Sequence, residues 1–356
     1  MLFGYPIEAT LDNWLHECLC HILHSIHTNI LSGNTVTDWS TVILEPYRNK
    51  LKSRLTRPGG LGDKLNNYQT ALVKLTAVEQ NRILQAFNDQ NNIALLLSCQ
   101  CDCEAITDLP LAIQEPVKIL FKYAFDLLTD MGIRDKHYKV IYDKVLSHTC
   151  PFCGCEDFDA PGSPREALDH YLVEKKYPFA ASNLRNLVPM GNKCNSRHKL
   201  AKDILINQDG IRRKSFDPYN HGGISLCLNN SQPFAGNDGQ LPQWQIEFSL
   251  NTEEVTTWDE VFHIRERYER DELDPKFKKW LEDFKSWCKS ANFIPSSEGE
   301  LVDGINHYAT LYEEMGISDR AFLKAAVFRM LHIQCQQGNQ RLISFLMSRV
   351  NPGQIP

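Results

Sequence analysis

Residues 150 to 154, Cys150-Pro151-Phe152-Cys153-Gly154, constrain this chain more than any other stretch. Two cysteines separated by two residues and followed by glycine make a zinc-knuckle turn. Both thiolates approach one ion, and the glycine permits the tight return of the backbone. Cys194 follows within Gly191-Asn192-Lys193-Cys194, so a glycine stands where a complete four-cysteine site would have its remaining cysteine. Cys150, Cys153 and Cys194 therefore supply three ligands of an expected structural Zn²⁺, which wants four. His198, four residues after Cys194 on an expected helix, shares its face and is the first candidate for the fourth. His148 and Cys155 are the others, and cysteines that merely pack are the metal-free alternative.

The rest of the composition limits the setting. A chain of 356 residues makes two or three domains at roughly 100–200 residues each. No run approaches the ~18 apolar residues of a membrane span. The opening MLFGYPIEATLDNW has none of the marks of a secretory leader. These features predict a cytoplasmic protein whose 12 cysteines are thiols or metal ligands rather than disulfides. A net charge of −6 excludes a generally basic nucleic-acid coat, so any such contact must be local.

The pattern of apolar residues predicts an α+β chain that is predominantly helical. Three regions are expected: a helical N-terminal domain over 1–146, a chemistry-bearing module over 147–214, and a C-terminal domain over 215–356 with short strands and then helices. Leu11, Trp14, Leu15, Cys18, Ile22 and Ile26 form one stripe on a helix starting near Thr10. His16, His21, His24 and His27 on that helix read as polar-face residues. Arg57-Pro58-Gly59-Gly60-Leu61-Gly62 is a break before further helical patterns near 68–97 and 116–131. Cys99, Cys101 and Cys103 alternate, which favours a loop with half-buried cysteines over a metal site. Turns at Asn220-His221-Gly222-Gly223 and Gly236-Asn237-Asp238-Gly239 flank alternating residues such as Trp244, Ile246, Phe248 and Leu250, which predict two or three strands. Thr257-Trp258-Asp259-Glu260 reads as a capping box opening a helix. A second helix is expected after Pro275, and a last one from about Ser318 to Val350.

Between the cysteines lie Leu168-Asp169-His170-Tyr171, then Asn186-Leu187-Val188-Pro189, then Cys194-Asn195-Ser196-Arg197-His198-Lys199. The order Asp-His, Asn, Asn-x-x-x-Lys inside a cysteine framework resembles the HNH endonuclease family, over residues 148–205 only. The resemblance implies a central ββα-metal module flanked by helical regions. Local pattern agrees: Ala167-Leu168 leads into Asp169-His170 at the end of one strand, Leu184 to Val188 forms a second, and 195–204 is helical with Leu200, Ile204 and Leu205 on one side. Phosphodiester hydrolysis needs a base for the attacking water and a cation for the charge that builds on phosphate. By resemblance His170 is that base, and Asp169 and Asn195 ligate one Mg²⁺ or Mn²⁺, a hard cation suited to oxygen ligands. Asn186 would hold the imidazole or its loop. Lys199, one turn after Asn195, would contact phosphate.

Charge near this motif is segregated. Residues 193–214 hold seven basic side chains, among them Lys193, Arg197, Lys202, Arg212 and Arg213, against two acidic ones. Residues 156–174 hold six acidic side chains against Arg165. An acidic edge beside a basic segment suits a metal-dependent nuclease that grips the DNA backbone with little base preference. The expected function is therefore DNA cleavage. The alternatives are a noncatalytic zinc-stabilised nucleic-acid-binding module and a ribonuclease of similar mechanism. The large helical flanks, together with the resemblance, imply a regulated effector of bacterial anti-phage defence, paired with an ATPase or sensor protein. A homodimer would let a single-strand cutter break both strands.

Overall fold

The computed structural model describes residues 1–145, 147–163, 168–236, 239 and 241–351. Arg165, Glu166 and Ala167 of the acidic segment and strand entry, and Asn237 and Asp238 of the expected turn, lie outside the described residues. Among the described residues the chain is predominantly helical with two small antiparallel sheets. It divides into a larger unit, residues 4–148 and 158–222, and a smaller one, residues 1–3, 149–157 and 223–356.

The larger unit begins with seven helices: α1 (Trp14–Leu31), α2 (Arg48–Thr56), α3 (Leu61–Val73), α4 (Ala77–Asn91), α5 (Ile93–Leu97), α6 (Leu111–Asp130) and α7 (Ile133–Lys144). The Trp14, Leu15, Cys18, Ile22 and Ile26 stripe of α1 is buried as expected, whereas Leu11 precedes the helix and is exposed. His16 and His27 are not polar-face residues. Both are buried, with His16 Nδ1 3.2 Å from Ser182 Oγ and His27 Nε2 2.8 Å from the Tyr68 hydroxyl. The expected break falls between α2 and α3, where Gly59 takes the positive φ of 68° that the turn requires. α4 opens on a complete capping box, Thr76 with Glu79. Along α6, Ile113, Val117, Leu120, Phe121, Ala124 and Leu128 recur every three or four residues and are all buried. Cys99, Cys101 and Cys103 are half-buried outside regular structure.

Two three-residue strands follow. β1 (Leu168–His170) pairs antiparallel with β2 (Leu187–Pro189), with Asp169 opposite Val188 and His170 opposite Leu187. The second strand is shorter than 184–188, because Leu184–Asn186 form a 3₁₀ turn that feeds it. The expected helix over 195–204 is also cut short. Cys194–Lys199 form a single π-helical turn, which ends at Leu200 with φ 49° and ψ −128° and leaves that leucine exposed.

In the smaller unit, β3 (Leu226–Cys227) pairs with β4 (Glu247–Phe248). Then come α8 (Glu253–Phe262), α9 (Ile264–Arg267), α10 (Asp274–Ser290), α11 (Glu298–Glu314), α12 (Ala321–Gln336) and α13 (Gln340–Val350). α8 begins after Thr252, so Thr257 lies inside the helix rather than at its start. The expected last helix is two: Ser318–Arg320 make a separate 3₁₀ turn, and Gly338 at φ 81° with the Asn339 cap separates α12 from α13. Among the described residues no helix is long and apolar enough to cross a membrane.

Candidate active site and metal centre

The loop between β1 and β2 builds the first part of the site. Phe179, Ala180, Ala181 and Ser182 in it are fully buried, so its backbone polar groups need partners inside the protein. Side-chain amides supply several. Gln90 Oε1 accepts from the Phe179 N–H at 3.1 Å, Asn91 Nδ2 donates to the Phe179 carbonyl at 3.3 Å, and Asn13 Oδ1 accepts from the Leu184 N–H at 3.1 Å. Asn186, itself fully buried, spans the loop: Oδ1 accepts from the Leu172 N–H at 2.6 Å, and Nδ2 donates to the carbonyls of Leu172 (3.1 Å) and Ala180 (3.3 Å). Phe179 packs edge-on against Phe87 of α4 and Phe121 of α6, at centroid separations of 5.5 and 5.3 Å.

This loop holds His170. Its Nε2 lies 3.0 Å from the Ala181 carbonyl. A carbonyl only accepts, so Nε2 carries the proton and the lone pair of the neutral ring is on Nδ1. Nδ1 faces Glu174, 3.8 Å from Oε2, and the ring packs on Phe125 of α6 with centroids 4.4 Å apart. Burial lowers the imidazole pKa from 6.5 to about 4, against the upward pull of the Ala181 carbonyl. The ring is thus a neutral proton acceptor at neutral pH. Burial pushes the Glu174 carboxyl above its ordinary value.

Asp169 and Lys199 form a pair. The Lys199 ammonium, only 1% exposed, lies 2.6 Å from Asp169 Oδ2 and donates to the His170 carbonyl at 2.8 Å. The contact with Oδ2 is an approach of charges rather than an aligned hydrogen bond. Burial pushes the Asp169 carboxyl up while the ammonium pulls it back down. Lys199 therefore points at Asp169 and not outward to solvent. The Asn195 carboxamide is half-buried in the π turn.

The other basic residues separate into two groups. Lys193 and Arg197 are exposed around the π turn. Arg212 is spent on the fold: its guanidinium donates to the carbonyls of Leu96, Cys101, Leu205 and Arg213 and to Asp102. Arg213 donates to the Asp203 carbonyl at 2.6 Å, and burial lowers the pKa of the Lys202 ammonium.

The knuckle turn has the local geometry of a metal-binding loop. Gly154 adopts φ 66°, and its N–H donates to the Cys150 carbonyl at 2.7 Å. A Cβ there would sit 2.6 Å from a Leu2 methyl and 2.8 Å from the Phe322 ring, so only glycine fits. The Cys155 N–H points at Cys153 Sγ, 3.4 Å away, as a donor to a thiolate does. The turn's carbonyls are held by the Trp258 indole on Phe152, the Tyr268 hydroxyl on Cys153 and Arg320 on Cys155, at 2.8–2.9 Å. Cys150 and Cys153 in the smaller unit and Cys194 in the larger are each buried within their surroundings. Buried cysteine thiols are donors of the kind a metal ion such as zinc takes. The Cys155 thiol donates to the Cys153 carbonyl at 3.2 Å, and the His148 ring stacks on Tyr142 at 3.9 Å.

Sequence reasoning missed Glu174 and the amide scaffold of Asn13, Gln90 and Asn91. The one signal for the scaffold was the amide-rich run Asn88-Asp89-Gln90-Asn91-Asn92 at the end of α4. No family model, curated protein or solved structure matches the chain.

Proposed function

We propose that this protein is a metal-dependent endonuclease of the HNH type that hydrolyses DNA phosphodiester bonds. The observation that carries the reading is the tautomer of His170: its Nε2–H is committed to Ala181, which leaves Nδ1 to take a proton from an attacking water. Asn186 positions His170 indirectly, by holding both strands of backbone that define the loop. A strand pair followed by a helical turn supports the resemblance, and the exposed Lys193 and Arg197 lie where a phosphate backbone would approach the π turn. On the resemblance, Cys150, Cys153 and Cys194 supply thiolates to a structural Zn²⁺.

In such enzymes a divalent cation stabilises charge on phosphate and the leaving oxygen. Asp169 and Asn195 have the right oxygen donors for Mg²⁺ or Mn²⁺. The pocket as it stands does not fit one, because Lys199 already covers Asp169 Oδ2. The same contact favours a second reading, a zinc-stabilised module that binds nucleic acid without cutting it. On the nuclease reading, the large helical regions and the resemblance support a regulated effector of bacterial anti-phage defence, with an ATPase or sensor as partner and dimerisation to cut both strands. Incubation of supercoiled plasmid, and separately of RNA, with Mg²⁺ or Mn²⁺ decides between these readings. Nicking lost in His170→Ala and in chelator is expected; binding without cleavage by any variant supports the noncatalytic module, and cleavage of RNA alone the ribonuclease.

A further inference from the structure

The sheet of the smaller unit leaves one edge open. In the β3–β4 pair the Ser249 N–H donates to the Ser225 carbonyl at 2.9 Å, with Leu226 opposite Phe248 and Cys227 opposite Glu247. Antiparallel pairs alternate between bonded and non-bonded. The Cys227 backbone therefore faces Glu247, while the Leu226 N–H and carbonyl point to the opposite edge, where no partner meets them among the described residues. The chain itself has begun to use that edge. The Leu2 carbonyl accepts from the Ile224 N–H at 3.2 Å, and a Cβ on Gly223 would sit 2.7 Å from the same carbonyl oxygen.

Beyond Leu2 a cavity of about 440 Å³ continues along β3. Every residue from Ile224 to Asn229 lines it. Neighbouring side chains of a strand point to opposite faces, so a cavity on one face would touch alternate residues only. Lining by all six places it along the edge. Across it stands one face of α12, Phe322, Ala325, Ala326 and Arg329, at helical spacing. The two alanines keep that wall low. Arg329 is held bidentately by Glu313 at 2.9 and 2.7 Å, so the pair brings no net charge to the cavity.

We propose that this groove takes an extended peptide of a partner protein, which adds as a strand to the Leu226 edge. A backbone donor and acceptor at strand spacing select a peptide over other apolar molecules, and the chain's own Leu2 shows what the edge accepts. Uncharged, β-branched residues at alternate positions suit the apolar walls. The inference is independent of the nuclease reading.

The test uses a fluorescein-labelled peptide, Val-Thr-Val-Thr-Val with blocked ends, and its twin methylated on the backbone nitrogens, titrated against the full chain by fluorescence anisotropy. The plain peptide should bind, and binding should weaken about tenfold or more for the twin and for the groove-filling Ala326→Phe. In wild type, hydrogen exchange adds a readout that needs no variant. The Leu226 amide should exchange freely in the protein alone while that of Cys227 is protected, and the peptide should protect Leu226. Equal binding of the twin, with loss in Ala326→Phe, makes the groove a pocket for apolar molecules and overturns strand addition. Absence of binding at about 1 mM peptide overturns it as well. Leu226 protection that rises with protein concentration alone assigns the edge to a second copy of the chain, and overturns the partner peptide.

Discussion

Replacing Asn186 with alanine isolates what positions His170. The change removes three hydrogen bonds, at 2.6, 3.1 and 3.3 Å, from a site with no access to water. The Leu172 N–H would be left buried and unpaired, which costs about 1–3 kcal/mol. The Leu172 carbonyl loses a donor worth about 1 kcal/mol. The Ala180 carbonyl still accepts from the Asn183 N–H at 3.1 Å, so its loss falls at the low end, about 0.5 kcal/mol. Together these give a loss of about 2.5–4.5 kcal/mol, or roughly 10 °C in Tm for a domain of this size. Asn186→Asp should cost at least as much despite its identical shape, since it sets an oxygen against two carbonyls. Urea denaturation followed by tryptophan fluorescence and circular dichroism measures both variants. A loss below about 1 kcal/mol for alanine, or a neutral aspartate, would refute the claim that this side chain carries the loop.

Other expectations are independent of catalysis. Burial lowers the pKa of His16, His27 and His170 from 6.5 to about 4. The unfolded chain holds more protons than the folded one between those values, so stability is full above about pH 6.5 and falls as the pH drops toward 4. The slope should approach about 4 kcal/mol per pH unit for three protons, and a denaturation series that is flat across this range would contradict the buried histidines. Loading the protein with Co²⁺ should give sulfur-to-metal charge-transfer absorption that weakens in Cys153→Ser and Cys194→Ser; a spectrum unchanged in both would remove the thiolate centre. Leu200→Gly should stabilise the protein by about 1 kcal/mol, because it relieves the left-handed strain of an exposed side chain, and a lower Tm would mean that the leucine packs after all.

What was legible in the sequence was what local pattern controls. The strand pair lies within a few residues of its expected place because Asp169-His170 and Leu187-Val188 sit between turn-forming stretches, and the knuckle glycine is required by its positive φ. The α1 stripe follows from helical period alone. What stayed hidden depends on distant partners. His16 and His27 look polar until Ser182 and Tyr68, 166 and 41 positions away, are brought to them. Lys199 reads as a phosphate ligand on an ordinary helix. One π turn changes where it points, and its burial follows from that turn and from Asp169 across the strand end. Asn13, Gln90 and Asn91 carry no motif, because the loop they satisfy is 88 to 171 positions removed.

The central claim is hydrolysis with His170 as base, and the most direct measurement is cleavage of an end-labelled DNA duplex in ¹⁸O-water with Mg²⁺ or Mn²⁺. The account predicts one ¹⁸O on the single phosphate terminus made at each cut, none on the hydroxyl terminus, and loss of cleavage in His170→Ala with the fold intact. Retained cleavage in that variant, or product without solvent oxygen, would contradict it.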